Sequence, residues 1–290
     1  MNSLPPVREL GGRNALVTGA GGGLGAYITR ALADEGVNLT LTDLPGSSID
    51  GLSAELRTRG VQVEHAPADL ADRDERRRLA SWAADALGPI DILVNNAGVE
   101  FGGPFLESEP EGLELTVAVN LLAVMDMTRL LVPGMLERRR GHVVNMASLA
   151  GKIPPPQLAS YGATKHGVVG FTASVRAELA DDPVGFSAIC PGFVGRVGMF
   201  GRIERYIEGE SAPMGTVAPE RVGEAVVRAI REDVGEIIVN ARPVKPIILL
   251  NAIAPGAAGR ISRLRRFREF GERLAKARER FDAAQSTSGD

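Results

Sequence analysis

The alternation of short apolar runs with helical stretches limits the fold of this chain more than any other feature. Seven such runs recur along the sequence: Asn14–Val17, Asn38–Thr42, Val61–His65, Asp91–Val94, His142–Ala147, Gly185–Cys190 and Glu236–Val239. Strands that alternate with helices form a parallel sheet with helices on both faces. The pattern therefore predicts an α/β, doubly wound fold with a parallel sheet of about seven strands.

The first apolar run leads into a glycine-rich turn, Thr18–Gly25, and a helical pattern follows from Tyr27. Glycines let the backbone turn tightly and approach a ligand, and the helix N-terminus behind them attracts a diphosphate. The second strand brings Asp43 to its carboxyl end, where a carboxylate accepts hydrogen bonds from ribose hydroxyls. The alternative is a tight turn without a ligand, in which Asp43 only precedes Pro45. The two signals together favour a dinucleotide site.

A tyrosine and a lysine, Tyr161 and Lys165, lie four residues apart on one face of a predicted helix. A nearby fixed cation favours the phenolate, so we expect Lys165 to lower the pKa of Tyr161 from its usual value near ~10. Ser148 follows the fifth strand and could converge with Tyr161 on one carbonyl or hydroxyl group. Taken alone, a Tyr-x-x-x-Lys pair is usually just a solvated helix face.

Charge and composition exclude several classes of protein. The net charge of −3 argues against general nucleic-acid binding. A single cysteine, Cys190, permits no intrachain disulfide and is compatible with a reducing compartment. Met1–Leu10 lacks the apolar core of a signal peptide, and Ile247–Ala254 is shorter than the ~20 residues that a membrane span needs. We therefore expect a cytoplasmic protein.

With its motifs in order, the chain resembles the classical short-chain dehydrogenase/reductase family over about residues 10–242. The features that carry the resemblance are Thr18-Gly19-x-x-x-Gly23-x-Gly25, Asp43, Asp69, Asn95-Asn96-Ala97-Gly98, Ser148 with Tyr161 and Lys165, and Pro191-Gly192. The resemblance implies a Rossmann-like sheet in one NAD(P)-binding catalytic domain, residues 1–242, with a substrate loop at about 193–217. Residues 243–290 are then an extension with an apolar segment and a basic amphipathic helix.

The same resemblance implies roles for individual residues. Tyr161 would be the general acid/base, Ser148 would hydrogen-bond the substrate oxygen, and Lys165 would bind the nicotinamide ribose. Asn120 would hold the water that links Lys165 to solvent, and Asp69 would meet the adenine. The implied cofactor-binding residues are Thr18, Gly19, Gly23, Leu24, Gly25, Asp43, Asp69, Leu70, Asn96, Ala97, Gly98, Tyr161, Lys165, Pro191, Gly192 and Val194.

The choice of cofactor can be argued from charge. Leu44 follows Asp43, and the glycine turn contains no arginine or lysine that could neutralise a 2′-phosphate. NAD is therefore predicted in preference to NADP. One position departs from the family pattern, because the threonine usual after Pro191-Gly192 is replaced, by register, with Arg196.

Two segments favour a lipophilic substrate and an additional contact surface. Residues 193–214 lack clear periodicity and are the candidate lid; apolar side chains there and near Asn96 are Phe193, Val194, Met199, Phe200, Ile203, Met214, Phe101 and Phe105. From Arg260 onward nine basic and five acidic residues give +4 within a total of −3. Apolar residues at helical spacing among these arginines are typical of contact with an anionic membrane or with a partner subunit. Ile247–Leu250 could cover the substrate entrance or a dimer interface.

These observations predict an NAD-dependent oxidoreductase that interconverts a lipophilic secondary alcohol and its ketone. The alternatives are an NADP-dependent carbonyl reductase and a catalytically idle NAD-binding scaffold. The resemblance further implies a homodimer or homotetramer. His65, His142 and His166 have no metal-ligand spacing, so no metal site is predicted.

Overall fold

A computed structural model describes residues 9–207, 212, 214–256 and 265–286 of the protein. Its centre is one sheet of seven parallel strands in the order β3-β2-β1-β4-β5-β6-β9. The strands are β1 Asn14–Thr18, β2 Asn38–Asp43, β3 Val63–Pro67, β4 Ile92–Asn95, β5 Gly141–Met146, β6 Val184–Pro191, β7 Phe193–Val194, β8 Thr216–Val217 and β9 Glu236–Val239. β7 and β8 pair separately. The predicted doubly wound, Rossmann-like sheet is confirmed.

Helices cover both faces of this sheet. They are α1 Gly23–Asp34, α2 Ile49–Arg57, α3 Arg73–Ala86, α4 Pro110–Val117, α5 Ala123–Glu137, α6 Ala159–Glu178, α7 Gly198–Glu204, α8 Glu220–Glu232, α9 Lys245–Ile253 and α10 Arg265–Ser286. Within the predicted lid, α7 is a helix that the irregular sequence did not predict. The predicted division of the chain at residue 242 stays a prediction.

The core is split in two by the sheet. Ala15 and Val17 belong to one apolar cluster, together with the buried faces of α1 and α8. Leu16, between them in β1, belongs to the other cluster, which includes residues of α3 and α5. Successive strand side chains point to opposite faces, so a strand covered on both sides is apolar at most of its positions. This explains why the strands appear as continuous apolar runs.

The order of the strands reverses beside β1. β1 pairs with β2 on one side and with β4 on the other, so the connections that follow β1 and β4 leave in opposite directions. In open α/β sheets this reversal opens a crevice at the carboxyl ends of the strands, where ligands bind. The glycine turn after β1 and the turn after β4 both lie at this edge.

α4 and α5 form one long helical run that is interrupted by a π-helical turn at Ala118–Leu122. The combined run Pro110–Glu137 is long and apolar enough to cross a membrane by length and composition, a test that core helices also pass. Met127 and Met135 are completely buried against the sheet. The apolar character of this helix is therefore used in core packing.

Candidate active site

The glycine turn after β1 is shaped by close backbone contacts. Gly19 has φ of +62°, and a Cβ there would lie 2.7 Å from the Cα of Ala97. A Cβ on Gly25 would overlap the carbonyl oxygen of Gly19. Both positions therefore require glycine, Gly19 for its left-handed backbone and Gly25 for the tight first turn of α1.

Hydrogen bonds join this turn to the one after β4. The Asn96 side-chain amide donates to the carbonyl oxygens of Thr18 and Gly19, at 3.0 and 2.9 Å. The backbone N–H groups of Asn96 and Ala97 donate to the Thr18 hydroxyl, each at 3.0 Å. Thr18 and Asn96 thus fix the two sides of the crevice relative to each other.

Two carboxylates lie further along the crevice. The Asp43 carboxylate at the end of β2 accepts hydrogen bonds from the backbone N–H of Gly21 at 2.7 Å and of Leu44 at 2.8 Å. The Asp69 carboxylate accepts from the Ala71 N–H at 2.9 Å. Both side chains belong to residues of the cavity wall. The hydrogen bonds orient Asp43 without supplying a cation that would neutralise it.

Ser148, Tyr161 and Lys165 meet where β5 ends and α6 begins. The Ser148 hydroxyl accepts from the Ala150 N–H at 3.1 Å and hydrogen-bonds the Tyr161 phenol. The Lys165 ammonium donates to the Met146 carbonyl at 2.7 Å and lies 5.6 Å from the centroid of the Tyr161 ring. Tyr161 and Lys165 are both buried. The structure therefore brings the three predicted residues together.

The pKa of the tyrosine differs from the sequence expectation. Burial raises the pKa of the Tyr161 phenol above 10.0, while the hydrogen bond from Ser148 acts in the opposite direction. The prediction of a lowered pKa for Tyr161 is wrong for this structure, because the effect of burial is the largest and the net direction is upward. Burial also lowers the pKa of Lys165 to about 8. Burial opposes the charged form of either group and is the largest cause of both pKa shifts.

Asn120 lies behind the site rather than in its wall. Its fully buried amide accepts from the Val99 N–H and donates to the Val99 carbonyl, both at 2.8 Å. It also approaches the Thr164 hydroxyl at 3.4 Å. The π-helical turn carries this residue, and such turns are frequent at functional sites. Asn120 therefore braces the chain after β4, and the predicted role in holding water stays a prediction.

Arg196 takes a path away from the crevice. Its backbone has φ of +68°, and its N–H donates to the Glu204 carboxylate at 3.0 Å. The guanidinium pairs with Glu220 at 2.6 Å and is well exposed. Arg196 does not line the cavity, whereas Phe193, Val194 and Val197 do. The departure from the family pattern thus affects the backbone of the loop and leaves the cavity free of this charge.

One cavity of about 1240 Å³ joins these features. The predicted site residues in its wall are Gly19, Gly23, Leu24, Asp43, Asp69, Leu70, Asn96, Ala97, Gly98, Ser148, Tyr161, Lys165, Pro191, Gly192 and Val194. Thr18, Gly25 and Asn120 support the wall from behind. A typical pocket for one drug-sized ligand has ~300–1,000 Å³, so this cavity is large enough for two ligands side by side.

Comparison with known proteins identifies the family. The family model described as short chain dehydrogenase matches residues 13–206. The chain belongs to the short-chain dehydrogenase family.

Relatives and solved structures agree with this assignment. The ketoacyl reductase HetN of Nostoc sp. is 36% identical over 94% of this chain and 96% of its own length. A single-residue variant of actinorhodin polyketide ketoreductase, solved with NADPH, has a TM-score of 0.73 and 33% identity, and the match covers 80% of this chain and 96% of that one. A short-chain dehydrogenase from Burkholderia phymatum in complex with NAD has a TM-score of 0.74 and 28% identity, covering 88% and 96%.

This short-chain dehydrogenase is therefore an NAD(P)-dependent oxidoreductase that acts on CH–OH groups. The crevice fits a nicotinamide dinucleotide, because it combines a glycine turn free of side chains, the N-terminus of α1 and a carboxylate at the end of β2. A Cβ on Gly22, at the start of α1, would meet nothing within 4 Å. Backbone N–H groups at this end of the helix can approach a diphosphate closely.

The other half of the dehydrogenase cavity is mostly apolar and is built from distant segments. Predicted substrate contacts Phe101, Phe193, Val194, Met199, Phe200, Ile203 and Met214 lie in its wall. Phe105 does not, and its side chain is exposed. Ile247 of α9 also lines the cavity, whereas Ile248–Leu250 do not, and the choice between the substrate entrance and a dimer interface for this segment stays a prediction.

Sequence reasoning missed a group of wall residues: Glu100, Asn251, Phe270, Arg278 and Phe281. Three of them belong to α10, which the sequence predicted as a helix for a membrane or a partner subunit. The spacing of Phe270 and Leu274 indicates an apolar helix face but does not identify the surface on which that face packs. Arg260 and Ile261–Leu264 of the predicted basic helix lie outside the described residues.

Two buried groups of the dehydrogenase stand apart from the reaction. His142 contacts the Ser187 hydroxyl at 2.8 Å, and burial lowers the pKa of His142 to about 4. Burial raises the pKa of the Cys190 thiol to about 12. Among the described residues, no group of three His, Cys, Asp or Glu side chains could hold a metal ion. His142 and Cys190 are part of the core.

Proposed function

We propose that this protein is an NAD-preferring ketoreductase that interconverts a lipophilic ketone and its secondary alcohol, with Tyr161 as general acid/base. The observation that carries the proposal is the meeting of Ser148, Tyr161 and Lys165 in the wall between the glycine turn and the apolar half of the cavity. A reacting carbon placed there would face the cofactor on one side and the proton donor on the other. The names of the ketoacyl and polyketide reductase relatives support a ketone as the substrate.

Burial raises the pKa of Tyr161, so the phenol carries its proton in the resting enzyme. At neutral pH the phenol is protonated, and during reduction it donates that proton to the substrate oxygen. The Ser148 hydroxyl hydrogen-bonds the same oxygen and stabilises its developing charge. The nicotinamide, when bound, supplies the hydride in reduction and accepts it in oxidation.

Lys165 lies next to this proton path. Its ammonium is anchored on the Met146 carbonyl, which leaves two of its three N–H donors for a ribose hydroxyl. Asn120 holds the loop at Val99, and a Cβ on the neighbouring Gly98 would lie 3.8 Å from the Lys165 nitrogen. The loop after β4 therefore limits the position of Lys165 and of any group bound to it.

The preference for NAD is supported by Asp43. Its carboxylate lies at the end of β2 in the cavity wall, where the backbone N–H groups of Gly21 and Leu44 donate to it. A second negative charge on a 2′-phosphate would be repelled there. Structures similar to this chain contain either NADP or NAD, so the argument depends on Asp43 itself.

We also propose a cytoplasmic homodimer or homotetramer. Leu115, Val117 and Leu122 on the α4–α5 run are exposed apolar residues that a second subunit could cover. Peripheral membrane contact is the second candidate, and it depends on the arginines of residues 260–268. Flotation with anionic liposomes tests it: replacing Arg263, Arg265 and Arg266 with glutamine should abolish flotation if this contact exists, and equal flotation rejects it.

The proposed reaction is tested with Tyr161→Phe, which removes only the phenolic oxygen. We expect kcat for ketone reduction to fall about a thousandfold, because general acid catalysis contributes ~10²–10⁴-fold. Binding of NADH, measured by fluorescence titration, should change little. Tyr27→Phe, on α1 and outside the cavity wall, is the matched control.

Unchanged turnover in Tyr161→Phe would refute the mechanism. A wild-type protein that binds NADH tightly but reduces none of a broad panel of aliphatic and aromatic ketones would instead favour the idle scaffold.

A further inference from the structure

The C-terminal helix α10 packs on the segment that follows the cofactor site. Phe270 is buried, and its ring lies edge-on to Phe193, with centroids 5.4 Å apart. Phe193 in turn contacts Phe200 of α7 at 4.8 Å. Phe193 directly follows Pro191-Gly192, so the three rings connect α10 to the chain beside the nicotinamide end of the crevice.

A second set of contacts lies further along α10. The Phe281 ring lies edge-on to Tyr206, with centroids 6.1 Å apart. Ala277, on the same helix, is completely buried. Phe270 and Phe281 thus contact both ends of the segment that contains α7. Because both rings also line the cavity, the helix forms a wall of it.

An ion pair connects α10 to the catalytic body. The Arg278 guanidinium pairs with the Glu100 carboxylate, and both side chains are largely shielded from solvent, at 18% and 13% exposure. Glu100 is two residues beyond Gly98, in the loop that Asn120 braces through Val99. A shielded pair of this kind is costly to break by removing one partner, since the other charge is left unpaired.

We propose that α10 is a specificity-determining element, in which Phe270 limits the length of the apolar substituent that fits beside the reacting ketone. The inference depends on the proposed function and deepens it, because it assigns the substrate class: ketones whose apolar chain ends against a wall from the C-terminal helix. The Glu100–Arg278 pair holds that wall in position. Glu100 and Arg278 are therefore positioning residues, because they affect the substrate by fixing where α10 lies.

The test uses a homologous series of methyl ketones with increasing alkyl length and compares wild type with Phe270→Ala. We expect kcat/KM of the wild type to rise with chain length and then fall, and the fall to move to longer chains in Phe270→Ala. For the longest ketone, relative to the shortest, the gain in kcat/KM should be about tenfold, since even one methylene in an apolar pocket is worth ~10–200-fold.

Leu274→Ala is the matched control, because Leu274 is a half-buried apolar residue of the same helix that does not line the cavity. It should leave the chain-length profile unchanged. Arg278→Gln should raise KM for long ketones more than it lowers kcat, and the exchanged pair Glu100→Arg with Arg278→Glu should recover part of the loss. An unchanged profile in Phe270→Ala, or an equal shift in Leu274→Ala, would overturn the inference.

A binding experiment separates this inference from the proposed reaction. Calorimetric titration gives the affinity for each ketone without turnover. It is carried out with Tyr161→Phe and with Tyr161→Phe combined with Phe270→Ala, so that the effect of Phe270 on the preferred chain length is measured. A shift of the preferred length between these two proteins supports the wall even if the wild type reduces no ketone. An equal preference rejects the wall even if the wild type is an active reductase.

Discussion

The cofactor half and the substrate half of the cavity are built in different ways. The cofactor half is held by backbone atoms and short side chains, such as the Thr18 hydroxyl and the Asn96 amide, at the ends of neighbouring strands. In the substrate half, aromatic rings and an ion pair join residues as distant in sequence as Glu100 and Arg278. The family pattern ends at residue 206, before α9 and α10 begin. The cofactor half is therefore built within the region that the family pattern matches, whereas the substrate half also uses segments beyond it.

Loss of Lys165 should have the largest effect, because this residue lies where the two halves meet. We expect Lys165→Met to lower kcat/KM about a thousandfold, because the ribose would lose its ligand next to the proton donor. Lys152→Met, which removes the ion-pair partner of Glu236, is the control and should retain activity.

Lys165 also predicts a pH dependence. With a pKa of about 8, the ammonium is charged below that pH and loses its proton as the pH rises through it. NADH affinity of the wild type should therefore decrease as the pH rises through about 8, and that of Lys165→Met should be lower and independent of pH in this range. Fluorescence titrations at several pH values measure this, and a wild-type affinity that stays constant would contradict it.

Gly25→Ala should distort the glycine turn in the cofactor half of the cavity and destabilise the protein. A methyl group there overlaps the Gly19 carbonyl, so the first turn of α1 must move, and we expect a loss of about 3 kcal/mol in the free energy of unfolding. Gly22→Ala is the control, since its Cβ meets nothing within 4 Å. Urea denaturation followed by circular dichroism measures both. Equal stability of the two variants would show that the turn is more adaptable than its contacts indicate.

Asp43→Asn should separate the two halves of the cavity by function, because we expect it to change the cofactor preference and to leave the substrate preference unchanged. Removing the carboxylate charge should raise the ratio of kcat/KM for NADPH to that for NADH about tenfold, a change of ~1.4 kcal/mol. The chain-length profile with either cofactor should be that of the wild type. Asp50→Asn, at an exposed site on α2, is the control. If the wild type already uses both cofactors equally, the role of Asp43 is wrong.

Substitutions of Arg196 should have the smallest effect. Whether they raise or lower the free energy of unfolding depends on how well the new residue tolerates the backbone conformation at this position. A residue with φ of +68° is disfavoured unless it is glycine, and β-branched residues are disfavoured most. Arg196→Gly should therefore raise the free energy of unfolding by about 1 kcal/mol, less the contribution of the exposed pair with Glu220. Arg196→Thr, which restores the residue usual in the family, should lower it. A thermal shift assay distinguishes the two directions.

Sequence alone predicted the sheet because each buried strand must be apolar on both faces, as Ala15, Leu16 and Val17 show. It also predicted residues such as Asp43 and Ser148, since their positions at strand ends follow from chain order. It could not predict the contact of Phe270 with Phe193 or the pairing of Arg278 with Glu100, because helical spacing identifies an apolar face but not its partner. The direction of the Tyr161 pKa was also out of reach, because it depends mainly on how deeply the phenol is buried.

The burial of Cys190 has a practical consequence for spectroscopy. It is the single cysteine of the chain, it is buried, and its pKa is raised to about 12, so little of it is present as the reactive thiolate. A cysteine introduced at the exposed Lys276 of α10 and another at the exposed Glu109 before α4 would therefore be the preferred targets of a maleimide spin label. Electron paramagnetic resonance could then report the distance between the C-terminal helix and the catalytic body during turnover, with no need to replace the native thiol.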